Sequence, residues 1–181
     1  MKRTWRLLAT VGVLFGLLPL CLAAKPADPF FGLTRGNKTY EVPADTWVGM
    51  YVLNTAGTGH ITEIQLLVDD DAPTGLVRMA IYYATPCTLY QDLSFATVVD
   101  GWVTISGLNI PVTAGSYYHL AFDLENPTGI RADRKTDLSS YSAPWPYDAD
   151  PFGRPESATD MPPGGQTSAV QYVIRAIVAP D

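Results

Sequence analysis

The chain has 181 residues, with 12 lysines and arginines against 18 aspartates and glutamates, and a formal net charge of −6 at pH 7. This length suits one domain with its own hydrophobic core. The acidic balance argues against nucleic acid and anionic membranes as partners, because both attract basic surfaces.

The first 24 residues have the pattern of a secretory signal peptide. Three basic residues among the first six precede an uncharged apolar run over 7–22, and the small residues Ala23 and Ala24 follow. The run is about 16 residues, short of the roughly 20 needed to span a bilayer, which argues against an anchor. Cleavage would leave 25–181 as a single extracellular or periplasmic domain without a membrane span. Its net charge would be −9, because three basic and no acidic residues leave.

Eight short apolar segments bounded by turn residues follow the signal peptide and predict strands. In the seventh, Tyr118, Leu120 and Phe122 share one side. His119 and Asp123 lie on the other side, which we expect to face water. Such strands predict an all-β fold, a two-sheet antiparallel β-sandwich of jelly-roll type. The segments are Lys38–Val42, Thr46–Leu53, Ile61–Val68, Leu76–Tyr83, Phe95–Val99, Trp102–Leu108, Ser116–Leu124 and Ala169–Ala179.

Three consecutive aspartates, Asp69, Asp70 and Asp71, stand between the third and fourth predicted strands. Aspartate caps its own backbone, Pro73 fixes φ and Gly75 accepts positive φ, so a solvated turn is the favoured interpretation. Calcium binding is the alternative. Adjacent side chains of an extended chain cannot all face one ion, and calcium takes about six to eight oxygen ligands, so a site would need further groups.

The sequence lacks a recognisable catalytic constellation. The two histidines, His60 and His119, do not have metal-ligand spacing, and neither a nucleophile elbow nor a phosphate loop occurs. His119 and Asp123 share a strand face, but no serine or cysteine there offers a nucleophile. We therefore predict a non-enzymatic protein without a cofactor. Cys87, the one cysteine left after cleavage, is either a buried thiol or a reactive one.

The segment 131–168 is predicted to be a long loop, because six prolines and three glycines leave no apolar period. Long loops in compact domains are usually functional or disordered. The aromatic rings of this loop either cover an open end of the sandwich or form a platform for a sugar or a partner. In the second case nearby charged side chains would bind hydroxyl groups. The candidate ligand residues are Trp145, Tyr147, Phe152, Asp148 and Arg154.

Several motifs occur in a characteristic order: FGLTRG, AGTGHITEIQLLV, TGLVRMAIYY, GWVTISGLNIPVTAGSYYHLAFDL, YSAPWPYDADPFG and QYVIRAIV. In this order they resemble a family of secreted bacterial jelly-roll domains of unknown function. That family has a Gly-Trp strand, a Thr-Ala-Gly turn, a Tyr-rich strand and a late proline-aromatic loop. The resemblance spans roughly Phe31 to Val178. It implies a jelly roll in an extracellular setting, often in cell-surface or polysaccharide-associated proteins, and it assigns no catalytic residues.

These features predict a secreted, non-enzymatic binding module. Its ligand would be a carbohydrate or another cell-surface polymer, bound through the aromatic loop and one sheet face. The alternative is an extracellular structural or assembly subunit of a matrix, filament or envelope, which would pack through the edges of the sandwich. The expected partners are a polysaccharide or a surface protein. A secreted hydrolase is the weakest hypothesis, because the residues for catalysis are missing.

Overall fold

The computed structural model describes residues 30–84, 87–134, 140–144 and 166–181. Within these ranges the chain forms thirteen strands, and no helix there is long and apolar enough to cross a membrane. The strands are β1 Phe30–Gly32, β2 Lys38–Val42, β3 Thr46–Leu53, β4 Gly59–Val68, β5 Leu76–Ala84, β6 Cys87–Thr97, β7 Gly101–Val112, β8 Tyr117–Leu124, β9 Thr128–Arg134, β10 Ser140–Pro144, β11 Gln166–Ser168, β12 Val170–Tyr172 and β13 Ile174–Pro180.

The strands form two antiparallel sheets. The first sheet runs β1-β13-β4-β9-β12, with β2 beside β9 and β7 beside β4. The second sheet runs β11-β10-β3-β8-β5-β6. The prediction of an all-β, two-sheet antiparallel sandwich is confirmed.

The order of β2 to β9 is that of a jelly roll. Strands β2, β4, β7 and β9 belong to the first sheet, and β3, β5, β6 and β8 to the second. Their neighbours are β2-β9-β4-β7 and β3-β8-β5-β6, the arrangement that two interlocked Greek keys produce. Strand β13 pairs with β4 over most of its length, so β9 meets β4 only at Val68 and Ile130.

The core lies between the inner faces of the two sheets, as the alternating pattern predicts. Strand β5 contributes Met79 and Ile81, which lie opposite Phe122 and Leu120 of β8, and all four are fully buried. Strand β4 of the first sheet supplies residues such as Leu66 to the same cluster. Side chains two apart on a strand point to one side, so each strand delivers every second residue to this core.

Each of the eight predicted strands overlaps an observed one, and β2 and β3 have the predicted bounds. The predicted strand Phe95–Val99 covers only the end of β6, and the predicted strand Ala169–Ala179 is divided into β12 and β13. Four strands were not predicted: β1, β9, β10 and β11. The uninterrupted loop predicted over 131–168 is wrong at its margins, because it contains the end of β9 and all of β10 and β11. Strand β10 lacks an apolar period, but it is held by pairing with β3 on one side and β11 on the other.

Candidate functional site

The five residues predicted to bind a ligand lie in the part of the chain that the structure does not describe. They are Trp145, Tyr147, Phe152, Asp148 and Arg154. The predicted signal peptide also lies there, and so does the side chain of Cys87, whose backbone begins β6. These assignments stay predictions, and the site below is built from the described residues alone.

The three aspartates lie in the link between β4 and β5, as the turn interpretation predicts. The Asp69 carboxylate accepts a hydrogen bond from the Thr39 hydroxyl and pairs with Arg131, whose Nη2 lies 3.2 Å from Oδ1. Thr39 and Arg131 lie on β2 and β9. Asp69 therefore fastens this link to two strands of the first sheet.

Asp70 is bonded to the backbone on both of its carboxylate oxygens. Oδ1 accepts the Ala72 N–H at 3.0 Å, and Oδ2 accepts the Gly129 N–H at 3.1 Å. These two bonds favour the charged form and hold the pKa of Asp70 below its usual range. Asp71 is exposed. In the described ranges no group of three or more His, Cys, Asp or Glu side chains is placed to hold a metal ion.

The outer face of the second sheet, which points away from the core, carries its side chains in rows across the strands. One row runs from Tyr51 on β3 through His119 on β8 to Tyr82 on β5. The next row consists of small residues. Their short side chains leave space above the backbone for larger side chains from neighbouring rows. That second row consists of Gly49, Ala121 and Ala80.

Trp47 and Tyr82 pack over this row of small residues. Their rings meet edge to face, with centroids 5.6 Å apart and planes at 88°. A Cβ atom on Gly49 would collide with the Trp47 ring, so close packing requires glycine there. With Ala80 and Ala121 the two rings form a second, buried apolar cluster. The prediction that this outer face is exposed to solvent is therefore wrong for the residues at the centre of the face.

Asp123 belongs to the buried part of the same face, against the prediction that it faces water. It is 1% exposed, and its Oδ1 accepts the Leu124 N–H at 2.8 Å. Burial raises the pKa of Asp123 to about 7, and the nearby charge of Asp45 adds to the rise. Arg78 lies opposite Asp123 on β5, and its positive charge acts to lower the pKa of Asp123.

His119 and Asp123 do not form a catalytic dyad. They are four positions apart along β8, which corresponds to about 13 Å along a strand. Among the described residues the buried Nδ1 of His119 has no hydrogen-bond partner. Burial lowers the pKa of His119 to about 4, so its imidazole is neutral at pH 7. A neutral imidazole offers one donor and one acceptor to a neighbour.

The solvent-exposed end of this outer face carries a group of residues that we call the tyrosine surface. It consists of Tyr51, Leu53, Tyr117 and His119. The Tyr51 and Tyr117 rings are stacked, with centroids 4.7 Å apart and planes at 11°. The His119 ring meets Tyr51 at 5.3 Å and 61°. Tyr51 is 44% exposed, Leu53 38% and Tyr117 46%.

Pairing of β3 with β8 produces the tyrosine surface. Leu53 lies opposite Tyr117, and Tyr51 lies opposite His119, so the four side chains occupy two adjacent rows. Both strands belong to the interior of the second sheet, and their inner faces are anchored in the core. The rings are thus presented on a rigid support, which lowers the ordering cost of binding.

Comparison with protein-family models gives no match to this chain, and no curated protein matches it either. The resemblance to secreted bacterial jelly-roll domains therefore stays an expectation based on the sequence motifs.

Proposed function

We propose that this chain is a secreted, non-enzymatic binding module for carbohydrate, with the tyrosine surface as its contact. The observation that carries the proposal is the stacked pair Tyr51 and Tyr117, which exposes nearly half of each side chain on a well-anchored sheet face. Export follows from the signal-peptide pattern of 1–24 and remains part of the proposal.

The chemistry of the tyrosine surface suits a sugar. A tyrosine ring combines a flat apolar face with a hydroxyl group at its tip, so it contacts C–H groups and hydrogen-bonds hydroxyls together. His119, which is neutral at pH 7, adds further hydrogen-bonding capacity beside Tyr51. Leu53 extends the apolar area. Clustered exposed apolar side chains are uncommon on a monomer and usually mark a binding surface.

The experiment that tests this function is a binding screen of the purified protein against soluble and insoluble polysaccharides, with and without calcium. We expect Tyr117→Ala to weaken binding of any retained polysaccharide five- to tenfold, because one ring contact is worth on the order of 1 kcal/mol. The matched control is Phe95→Ala, which removes a ring that is 58% exposed on β6, outside the tyrosine surface. Equal losses in both variants would refute the assignment of the surface.

An assembly subunit is the second candidate, and the same observation favours it, because tyrosine is enriched where protein surfaces meet. Light scattering over a range of protein concentrations separates the two functions. A defined oligomer that Tyr117→Ala dissociates would support assembly. A monomer that retains a polysaccharide through Tyr117 would support the binding module.

A further inference from the structure

Strand β6 is interrupted by a bulge. Leu93 and Ser94 together lie opposite a single residue of β5, Met79, so two residues face one. Ser94 has φ of +82°, a region that costs a residue other than glycine about 1–2 kcal/mol. In the described part of the chain β6 pairs with β5 alone, so this bulge lies at an edge of the second sheet.

Strand β7, at an edge of the first sheet, bulges as well. Gly107, Leu108 and Asn109 lie opposite the single residue Thr62 of β4. Gly107 has φ of +75°, which glycine adopts without strain. The extra residues in both bulges interrupt the regular ladders, and bulges of this kind are frequent beside binding sites.

The residues of the two bulges line one cleft of about 320 Å³. That volume falls at the lower end of the range for small-molecule sites, roughly 300–1,000 Å³. Leu108 gives the cleft a partly exposed aliphatic side chain, and the lining also includes Leu93 and Ile110, which are buried in the core. Its polar side chains are Gln91, Asp92, Ser94 and Asn109.

The polar groups of the cleft are partly fixed by local bonds. The Gln91 side-chain amide donates to the Asp92 carbonyl at 3.1 Å, and Asp92 Oδ1 accepts the Ser94 N–H at 3.2 Å. Each bond uses one polar atom of a side chain that has two. The amide oxygen of Gln91 and the second carboxylate oxygen of Asp92 are thus further acceptors.

We propose that this cleft binds one residue of a neutral sugar, at a site separate from the tyrosine surface. Amide, carboxylate and hydroxyl groups suit the alternating donors and acceptors of a sugar, and the aliphatic side chains suit its C–H face. The lining includes a carboxylate and no lysine or arginine, which disfavours an anionic ligand. The inference uses other residues than the proposed function and stands independently of it.

The test is a two-dimensional amide NMR titration of the purified protein with the methyl glycosides of glucose, galactose, mannose and xylose. We expect at least one probe to shift the amide signals of 91–94 and 107–109. Asn109→Leu, which narrows the cleft, should weaken that binding about tenfold or more. Thr104→Leu is the matched control, since Thr104 is an exposed residue of the same strand outside the lining.

Tyr117→Ala should leave the cleft shifts unchanged, which separates this inference from the proposed function. The inference is overturned if none of the four probes shifts these signals, or if Asn109→Leu binds like the parent protein. Should Asn109→Leu disturb the whole spectrum, Gln91→Ala provides the same comparison, because Gln91 is an exposed residue of the lining.

Discussion

Two residues of β8 couple the stability of the fold to pH in opposite directions. Burial raises the pKa of Asp123 from 3.8 to about 7, so between these values the native chain holds a proton that the unfolded chain releases. Stability from this group therefore falls as pH rises from about 4 to 7. Burial lowers the pKa of His119 from 6.5 to about 4. Over that interval the unfolded chain holds the extra proton, so stability from His119 rises with pH.

Asp123→Asn should separate the two effects. The amide keeps an acceptor for the Leu124 N–H and cannot ionise, so we expect the variant to be more stable than the parent at pH 8. The gain should reach up to about 4 kcal/mol, at about 1.4 kcal/mol for each unit of pKa. This gain in stability over the parent should disappear towards pH 4. The free energy of unfolding of the variant itself should rise from pH 4 to 6.5, because only His119 still titrates there of the two residues. Urea unfolding at each pH measures this.

The control for this comparison is Asp71→Asn, because Asp71 is exposed. We expect it to follow the parent protein throughout. A gain in Asp123→Asn of equal size at pH 4 and pH 8 would show that Asp123 is not a buried carboxyl with a raised pKa.

At the scale of elements, the link between β4 and β5 is fastened by its carboxylates. Asp70→Ala removes the acceptor for two backbone N–H groups, those of Gly129 and Ala72, and should lower the free energy of unfolding measurably. Asp71→Ala should change it by less than about 0.5 kcal/mol, as exposed substitutions usually do. Thermal or urea unfolding of both variants decides between a structural turn and an ordinary solvated loop.

The calcium alternative can be tested on the same variants. A melting temperature that rises with calcium in the parent protein but not in Asp70→Ala would place an ion at this link, by linkage of binding to folding. A rise that survives the substitution would place the ion elsewhere.

The predicted strands and the unpredicted ones differ in the source of their stability. β5 and β8 alternate apolar and other residues, so their pattern alone is diagnostic. β10, with the sequence SYSAP, has no such pattern, and in β9, with TGIRADR, only the two apolar residues Ile130 and Ala132 alternate with polar ones, which is too short a run to predict a strand. They form because distant strands pair with them, as β2 does with β9 and β3 with β10. Local sequence carries little information about such long-range pairing.

The proposed tyrosine surface was harder to predict than the fold, for a related reason. The sequence TWVGMYVL of β3 is almost wholly apolar, so alternation cannot tell that Val48 and Met50 face the core while Trp47 and Tyr51 face outward. Only the pairing with β8 brings Tyr51 beside Tyr117. The burial of Asp123 was missed because a charged residue on an alternating strand normally faces water.

At the scale of the whole molecule, the two proposed contacts lie on different parts of the sandwich. The tyrosine surface occupies the outer face of β3 and β8, and the cleft lies where the edge strands β6 and β7 bulge. Strands β5 and β8 stand between β3 and β6 in the second sheet. A polymer that contacted both the tyrosine surface and the cleft would have to extend across the second sheet. Substitutions in the tyrosine surface and in the cleft can therefore be tested separately.

The last prediction concerns the secreted form of the whole chain. Strand β1 begins at Phe30 and pairs with β13, and Phe31 is buried in the core. Cleavage after Ala23 or Ala24 would leave this strand intact. N-terminal sequencing of exported protein should therefore return Ala24 or Lys25. A retained Met1 would contradict export by this signal.

After this cleavage Cys87 is the single cysteine, so no disulfide can form within the chain. Because the core alone must stabilise the sandwich, the melting temperature of the exported monomer should be the same with and without reductant. A drop on reduction would instead reveal a bond between two chains through Cys87.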